Sequence, residues 1–363
     1  MKKIPLFQPK ITRQEFKAVK NVLKSKKLSR GPYVEFFEQE FANFVGRRFA
    51  VAVSSGTAGL DMCMKALGVK NGDNVITSAY SFIASANCIL YQKAKPVFCD
   101  VNPDNGLINI AEVKRKLSKT TKAILPVDIF GQQCDLSDLK KLGIPIIVDS
   151  CESFGVLPQV DALANVYGFY PNKQITTGEG GMIVTDDKKF AEKLRSLRNQ
   201  GFKKTKNYLE EINIGFNFRM SDINAGLGLA QLQNAQKILH KRWVSACIYS
   251  KLLSDIPEVK FVLNMKNKNI SVFNMPIICK NLHIRNCIVQ EFEKYQIEYS
   301  FGFPPLAHFA YIRNATGCNP KDFPNTEIFA KNLLCLPIFT DISVKQIKFI
   351  VKCIKQGICN AQN

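Results

Sequence analysis

Several features that would place a protein in other classes are missing from this sequence of 363 residues. It has only three histidines, and none of its 12 cysteines forms a C-x-x-C pair, which argues against a zinc site. No stretch approaches the roughly 20 apolar residues of a membrane-spanning helix, and no apolar run follows the first five residues as in a signal peptide. We therefore expect a soluble cytoplasmic protein without a bound metal or a membrane contact.

Acidic residues are scarce relative to basic ones. The chain has 30 Asp and Glu against 50 Lys and Arg, which gives a formal net charge of +20. Such a charge attracts nucleic acid, an anionic surface or an anionic small molecule. The basic residues are spread along the whole chain, and only residues 202–208 interleave lysines with aromatic side chains. We therefore expect no nucleic-acid partner, and the charge fits a substrate that carries phosphate.

Short apolar runs alternate with helical patterns through the first 150 residues. The runs predict strands at 49–53, 74–78, 96–101, 121–127 and 144–148. Alternation of this kind favours an α/β fold with a mostly parallel sheet and helices on both faces. In such sheets, ligands bind at the carboxyl ends of the strands.

The pattern changes in the second half of the chain. Ser221 or Asp222 can cap a long helix that continues through Trp243. Beyond about residue 250 the elements become shorter, with strands predicted at 271–273 and 277–279. This change indicates a smaller C-terminal α+β domain.

Two of the predicted strands end in residues that suit a ligand. Residues 54–58, Ser-Ser-Gly-Thr-Ala, follow the first strand and open a helix, so bare N–H groups and small side chains would meet an anion there. Asp149 follows the strand at 144–148, where a buried carboxylate can pair with a protonated pyridine nitrogen. An ordinary capped turn and a loop-capping aspartate are the alternative interpretations.

Residues 168–181 place one lysine, Lys173, between a proline turn and a glycine-rich turn, ahead of an apolar strand. Lysine forms Schiff bases with carbonyl cofactors once burial or a neighbouring cation favours its neutral amine. A solvated loop lysine is the alternative, because the chain has so many basic residues. The assignment of Lys173 to pyridoxal phosphate (PLP) therefore depends on the other segments.

These segments, in this order, resemble the DegT/DnrJ family of PLP-dependent nucleotide-sugar aminotransferases over nearly the whole chain. The matching segments are 53–60, 77–82, 148–152, 170–181 and 215–222. The resemblance implies the type I aminotransferase fold. It also implies a large PLP-binding domain over 1–250, which includes the N-terminal segment and a long connecting helix, and a small C-terminal domain over 251–363.

The resemblance implies roles for residues around the cofactor ring. Lys173 would bind PLP and shuttle a proton during transamination, and Asp149 would bind the ring nitrogen. Phe82 would stack on one face of the ring, with a core phenylalanine as the alternative. Glu152 stands where the family often has Gln or His near the ring hydroxyl.

The remaining implied contacts concern phosphate and substrate. The residues expected to bind the cofactor phosphate are Gly56, Thr57, Ala58 and Asn217 of the partner subunit. Arg219 and His308 are expected to bind the substrate. Lys203 and Lys204 are further candidates for the diphosphate of a sugar nucleotide, with solvated lysines as the alternative.

Two departures from the family pattern concern binding. Gly168 stands where many members carry a serine that helps to hold the phosphate, so one donor is missing or replaced. Residues 299–308 lack an arginine that the family commonly has and form a segment one residue longer. That segment faces the substrate in relatives, so the choice of sugar stays open.

The implied activity is transamination of a nucleotide-linked 4-keto-6-deoxyhexose with L-glutamate as amino donor, in a homodimer with shared active sites. Amination at C3 and a non-catalytic PLP-binding regulator are the alternatives. No appended helix-turn-helix supports the regulator. A dehydratase of this family would have histidine in place of Lys173. The nucleotide and the sugar configuration stay open.

Overall fold

The computed structural model describes residues 3–157, 160–204, 209–211, 214–266 and 269–362. Its strands are short, with three to five residues each. They are β1 (Phe49–Val53), β2 (Asn74–Ser78), β3 (Lys95–Cys99), β4 (Thr121–Leu125), β5 (Ile147–Asp149), β6 (Ala164–Gly168), β7 (Gly181–Thr185), β8 (Phe202–Lys204), β9 (Leu209–Glu211), β10 (Val259–Phe261), β11 (Met275–Cys279) and β12 (Leu333–Leu336).

The α-helices have between four and 19 residues. They are α1 (Arg13–Ser25), α2 (Pro32–Val45), α3 (Gly56–Ala66), α4 (Ala84–Tyr91), α5 (Ile110–Lys116), α6 (Ser137–Lys140), α7 (Lys188–Arg198), α8 (Asp222–Gln233), α9 (Ala235–Leu253), α10 (Leu282–Lys294), α11 (Ala310–Thr316), α12 (Pro324–Asn332) and α13 (Val344–Gln362). In the described ranges, none combines the length and the apolar character needed to cross a bilayer.

Seven strands form the central sheet in the order β1-β7-β6-β5-β4-β2-β3. Hydrogen-bonded pairs define the groups β1-β7-β6-β5 and β4-β2-β3. Parallel bridges between Ile124 and Ile146 and between Val127 and Asp149 join the two groups. Among these seven described strands, β7 runs antiparallel to both β1 and β6, and the other neighbouring strands are parallel to each other. The predicted mostly parallel sheet is confirmed.

Helices cover both faces of the sheet because side chains alternate along each strand. In β1, Val51 and Val53 share a core with residues of α3 and α7. Ala50 and Ala52 point to the other face and share a core with residues of α2, α8 and α9. Strands buried on both faces are apolar throughout, which explains the short apolar runs in the sequence.

The predicted long helix is two helices. Asn234, between α8 and α9, has φ −97° and ψ 0°, and its N–H donates to the carbonyl of Gln231 at 3.1 Å. Its side-chain amide donates to the carbonyl of Ala230 at 3.2 Å. Asparagine competes for backbone groups in this way and interrupts helices. The prediction of one continuous helix was therefore wrong at Asn234.

The predicted strand at 271–273 was also wrong, whereas the prediction at 277–279 is confirmed by β11. The carbonyls of Val272 and Phe273 accept hydrogen bonds from the side chain of Arg242, and the N–H of Ser271 donates to the carbonyl of Gly131. These partners satisfy the backbone, so a strand neighbour is not needed.

The C-terminal region has its own antiparallel sheet of β10, β11 and β12. Ile277 of this sheet shares a core with Ile288 of α10 and Ile350 of α13. Ile4 joins the same core and bridges to Ile297, so the start of the chain packs against the C-terminal region. The division into domains at residue 250 stays a prediction.

Gly131 offers a test of how tightly the two regions fit together. Its φ is +84°, and a β-carbon there would lie 1.7 Å from the carbonyl oxygen of Ser271. We expect Gly131→Ala to lower the free energy of unfolding in urea by at least about 3 kcal/mol, because a clash adds to left-handed backbone strain. Gly143→Ala is the control, with φ +68° and open space. Equal losses for both variants would contradict the tight fit.

Candidate active site

A cavity of about 430 Å³ lies at the ends of the central strands. The predicted site residues that line it are Gly56, Thr57, Phe82, Asp149, Glu152 and Lys173. Much of the remaining wall is apolar and is formed by Leu60, Val127, Ile129, Phe169, Phe273 and Phe303. The cavity therefore combines a few polar groups with an apolar wall, as is typical of small-molecule sites.

The amine of Lys173 lies between a carboxylate and an aromatic ring. Its Nζ is 3.6 Å from Oε1 of Glu152 and 4.0 Å from the centre of the Phe273 ring. The Lys173 side chain is only 15% exposed. A carboxylate and a ring face both stabilise an ammonium where water is scarce. This lysine is thus held inside the cavity, unlike a solvated loop lysine.

Hydrogen bonds on both sides of Lys173 fix its loop. Its N–H donates to the carbonyl of Tyr170 at 2.9 Å, which closes the proline turn. The next residue, Gln174, is buried, and its amide donates to the carbonyl of Glu152 and to the hydroxyl of Ser271, both at 2.6 Å. The lysine loop is therefore joined to the turn that carries Glu152 and to the C-terminal region.

Glu152 is held by a strained backbone. Its Oε2 accepts from the N–H of Phe130 at 2.7 Å, and Phe130 has a φ of +57°. This left-handed conformation costs roughly 1–2 kcal/mol for a residue other than glycine, and such strain concentrates at functional sites. Burial raises the pKa of the Glu152 carboxyl, while the nearby amine of Lys173 acts in the opposite direction.

Asp149 presents its carboxylate from the end of β5. Its Oδ2 accepts from the hydroxyl of Ser85 in α4 at 2.7 Å, and its Oδ1 accepts from the N–H of Cys151 at 3.2 Å. Donors to both oxygens fix the orientation of the carboxylate. Asp149 therefore sits in the cavity wall as a preoriented anion.

A second aspartate, Asp128, lies behind the same turn and is buried. Its Oδ2 accepts from the hydroxyls of Ser150 and Ser153 at 3.0 and 2.7 Å, and its Oδ1 accepts from the N–H of Cys134 at 3.1 Å. Its own N–H donates to the carbonyl of Asp149 at 3.0 Å. Burial raises the pKa of Asp128 to about 7, although these hydrogen bonds lower it. Asp128 thus supports the turn that carries the site carboxylates.

The turn between β1 and α3 is the predicted phosphate site. Gly56 and Thr57 line the cavity, and the first N–H groups of a helix have no acceptor within it. Ala58 does not line the cavity, and its N–H already donates to the capping hydroxyl of Ser55 at 3.0 Å. Of the three residues predicted here, Gly56 and Thr57 are therefore placed to bind an anion.

Cys151 fills the space beside this turn. A β-carbon on Gly56 would lie 2.7 Å from the Cys151 sulfur, and one on Gly168 would lie 3.3 Å from it. A serine in place of Gly168 would crowd the same sulfur atom. Gly168 and Cys151 are therefore complementary, which accounts for the departure from the family pattern at 168.

Three other predicted site residues lie outside the cavity of their own chain. His308 is exposed, and its Nε2 is 2.8 Å from a carboxylate oxygen of Glu327. The guanidinium of Arg219 donates to the side chain of Asn199 at 2.9 Å. Asn217 is exposed and forms a backbone bridge with Asn199. The structure therefore does not bring these three residues to Lys173 within one chain.

Several proteins similar to this chain are sugar aminotransferases. The DegT/DnrJ/EryC1/StrS aminotransferase family matches residues 9–355. The chain is 36% identical to the GDP-perosamine synthase of Vibrio cholerae over 264 residues, 70% of this chain and 72% of that protein. Helicobacter pylori PseC, an aminotransferase involved in the biosynthesis of pseudoaminic acid, has 27% identity and a TM-score of 0.93 over 99% of this chain and 100% of its own. The PMP-form of the putative sugar aminotransferase Spr1654 from Streptococcus pneumoniae has 25% identity and a TM-score of 0.94 over 99% of this chain and 98% of its own.

The chain belongs to the DegT/DnrJ/EryC1/StrS aminotransferase family. It is a sugar aminotransferase with the type I aminotransferase fold, and its cofactor is pyridoxal 5'-phosphate. The fold, family and cofactor expected from the sequence are confirmed.

The cavity of this aminotransferase fits PLP. It offers an amine at Lys173, a carboxylate at Asp149 and a helix start at Gly56 and Thr57. The side-chain oxygen of Asn172 is buried at the cavity without a hydrogen-bond partner among the described residues, as expected where a ligand completes the site. When bound, PLP supplies an aldehyde that accepts amino groups and an electron-withdrawing ring. Lys173 would bind the aldehyde, Asp149 the ring nitrogen, and the helix start the phosphate.

Sequence reasoning missed four residues of this site. Ser85 lies three residues after Phe82, one helical turn along, and this spacing could have linked it to the cavity. Asn172 precedes Lys173 and was named only as part of its loop. Phe273 comes from the C-terminal region, where no local pattern marks it. Phe303 lies in the segment 299–308, which the resemblance associates with the substrate without singling out this residue.

The buried carboxyl of Asp128 should give stability a particular pH dependence. Its pKa rises from 3.8 to about 7 on folding, so the folded protein retains a proton that the unfolded chain has lost. That stabilisation is present below about pH 4 and disappears as the pH rises through about 7. We expect the free energy of unfolding of the wild type, relative to Asp128→Asn, to fall by up to about 4 kcal/mol over this range.

Urea unfolding at fixed ionic strength, at several pH values, measures this difference. Asp255→Asn is the control, because Asp255 is exposed. If the free energies of unfolding of wild type and Asp128→Asn differ by the same amount at every pH, the claim that Asp128 retains its proton on folding is contradicted.

Proposed function

We propose that this enzyme moves the amino group of L-glutamate to C4 of a nucleotide-linked 4-keto-6-deoxyhexose, which gives the 4-amino-4,6-dideoxy sugar. The observation that carries the proposal is the cavity in which Lys173, Asp149 and the start of α3 come together. Similarity to a relative named GDP-perosamine synthase supports a sugar linked to a nucleoside diphosphate. The net charge of +20 supports an anionic substrate.

The aromatic wall of the cavity supports a deoxy sugar. Phe82 lies two residues before α4 and is 55% exposed, and its ring centre is 5.8 Å from that of Phe303. A 6-deoxy sugar presents a methyl group where an ordinary hexose presents a hydroxyl. An apolar wall accepts the methyl group, whereas an unpaired hydroxyl would lose its hydrogen bonds to water. Phe303 belongs to the segment 299–308, which departs from the family pattern.

In this proposal the polar groups of the cavity have distinct roles. Lys173 holds the cofactor at rest and carries the proton between carbon atoms during transfer. Glu152 and Phe273 keep its amine in place. Asp149, fixed by Ser85, keeps the cofactor ring protonated and electron-withdrawing. Lys203 and Lys204 stay candidates for the substrate diphosphate, and the adjoining residues 205–208 lie outside the described residues.

We also propose a homodimer in which Asn217 completes the site of the other subunit. Phe216 and Phe218 on either side of it stack with ring centres 4.5 Å apart and pack on the core, while Asn217 is exposed. The carbonyl of Phe218 accepts from the N–H of Ser54 at 2.9 Å, which seats the segment beside the phosphate turn. Exposed apolar side chains that suit a partner are Phe16, Leu23 and Phe36.

Incubation with L-glutamate and a panel of UDP-, dTDP- and GDP-linked 4-keto and 3-keto deoxy sugars tests the activity. We expect 2-oxoglutarate and a 4-amino sugar from at least one 4-keto substrate, identified by mass spectrometry and NMR. Products from 3-keto sugars alone would show that the enzyme aminates C3 instead of C4. No turnover on either class of sugar would contradict the proposed substrate class.

We expect Lys173→Arg to lower the rate of transamination at least about 1,000-fold. Lys122→Arg, an exposed control, should leave this rate unchanged.

Mixing two inactive variants tests the shared site. In a heterodimer of Lys173→Ala and Asn217→Ala, one of the two sites has both residues intact if Asn217 acts across the interface. Random exchange of subunits should then restore about 25% of wild-type activity. The control pairs Lys173→Ala with Asp149→Ala, which act in the same chain and should restore none. No recovery in the first mixture would contradict a contribution of Asn217 to the partner's site.

A further inference from the structure

One buried arginine, Arg242, lies outside the cavity and has no role in the proposed reaction. Arg242 of α9 is 3% exposed. Its Nε donates to the carbonyl of Val272 at 2.8 Å, and its Nη2 donates to the carbonyl of Phe273 at 2.7 Å. Burial lowers the pKa of its guanidinium to about 10, so it stays protonated at neutral pH. Burial of a charge is costly, and here two backbone carbonyls offset that cost.

These carbonyls belong to the turn that brings Phe273 to the lysine. Residues 271–273 form no strand, so their backbone groups depend on other donors and acceptors. Ser271 donates from its N–H to the carbonyl of Gly131 at 3.0 Å, and its hydroxyl accepts from Gln174 at 2.6 Å. Gln174 directly follows Lys173. The turn is therefore fixed to α9 on one side and to the lysine loop on the other.

We propose that Arg242 is a positioning residue for transamination: through the backbone of residues 272–273, it holds the ring of Phe273 against the amine of Lys173. The inference rests on the proposed role of Lys173 as the lysine that binds PLP. Arg242 itself contacts neither cofactor nor substrate, because it does not line the cavity.

The contact between Phe273 and Lys173 restricts where the amine can lie. The ring face keeps the amine beside Glu152 instead of leaving the long side chain free to rotate. A fixed amine meets an aldehyde bound in the cavity more often than a freely rotating one does. Loss of the contact should therefore slow the reaction of Lys173 with PLP.

Two variants test the proposal with the cofactor alone. Arg242→Met removes both donors at similar length, and Phe273→Leu keeps an apolar side chain without the ring face. Tyr249→Phe is the matched control, because Tyr249 lies on the same helix and donates its hydroxyl to the carbonyl of Pro337, at 2.9 Å. The thermal unfolding midpoint of each variant shows whether it is folded.

The first measurement is the rate at which PLP forms a borohydride-fixed adduct on Lys173, followed by mass spectrometry. We expect this rate to fall about five- to tenfold in Arg242→Met and Phe273→Leu, and to stay unchanged in Tyr249→Phe. Pyridoxamine phosphate forms no bond with the lysine. We expect its dissociation constant to change by less than about threefold.

The second measurement, the dissociation constant of pyridoxamine phosphate, is the internal comparison. A role limited to stability or to the shape of the cavity would weaken the PLP reaction and the binding of pyridoxamine phosphate by similar factors.

Wild-type rates of adduct formation in both variants would overturn the proposal. Equal losses of PLP reaction and pyridoxamine phosphate binding would also overturn it, because the residues would then only shape the cavity. If Arg242→Met does not fold, Phe273→Leu decides the outcome. Absence of any adduct on wild-type Lys173 would instead refute the proposed function. Failure to aminate a particular sugar leaves this inference untouched.

Discussion

One ammonium group, that of Lys173, determines how the surrounding residues are arranged. Its Nζ lies 3.6 Å from a carboxylate and 4.0 Å from a ring centre, in a cavity with mostly apolar walls. Charges in such surroundings are stable only with partners of opposite charge or with directed dipoles. Glu152, Asp149 and Asp128 lie on or beside one turn, and each carboxylate accepts at least one hydrogen bond. The site is therefore a network of hydrogen-bonded carboxyl groups around a single amine.

The same contacts that build the site also join the two regions of the chain. Ser271 lies so close to Gly131 that only glycine fits there, and the amide of Gln174 bridges Glu152 and Ser271. Arg242 holds the turn from the other side. Because the lysine loop, the aspartate turn and the C-terminal region share these hydrogen bonds, stability and geometry of the site depend on each other.

The sequence predicted the parts that local patterns determine. The strands at 49–53 and 74–78 agree with the structure to the residue, because buried apolar runs end there at polar or small residues. Asp149 at the end of β5 and residues 55–57 of the turn after β1 line the cavity because ligands bind at the carboxyl ends of such strands. The resemblance to a family then connected these segments with Lys173.

What the sequence did not predict depends on contacts between distant residues. Nothing near Phe273 indicates that Arg242 replaces its strand partner, and the break at Asn234 comes from one side chain competing for the backbone. Ser85, the partner of Asp149, lies 64 residues before it. His308, expected at the substrate, pairs with Glu327 outside the cavity of its own chain, so its role stays a prediction. Such pairings follow from the packing of the whole chain and leave no periodic signal.

Mapping the cofactor lysine of the wild-type protein tests the central claim most directly. The protein is incubated with PLP, reduced with borohydride, digested and analysed by mass spectrometry. The account predicts one adduct per chain, on Lys173, together with a visible absorption band before reduction. A colourless protein with no adduct on Lys173, or adducts spread over surface lysines, would contradict it.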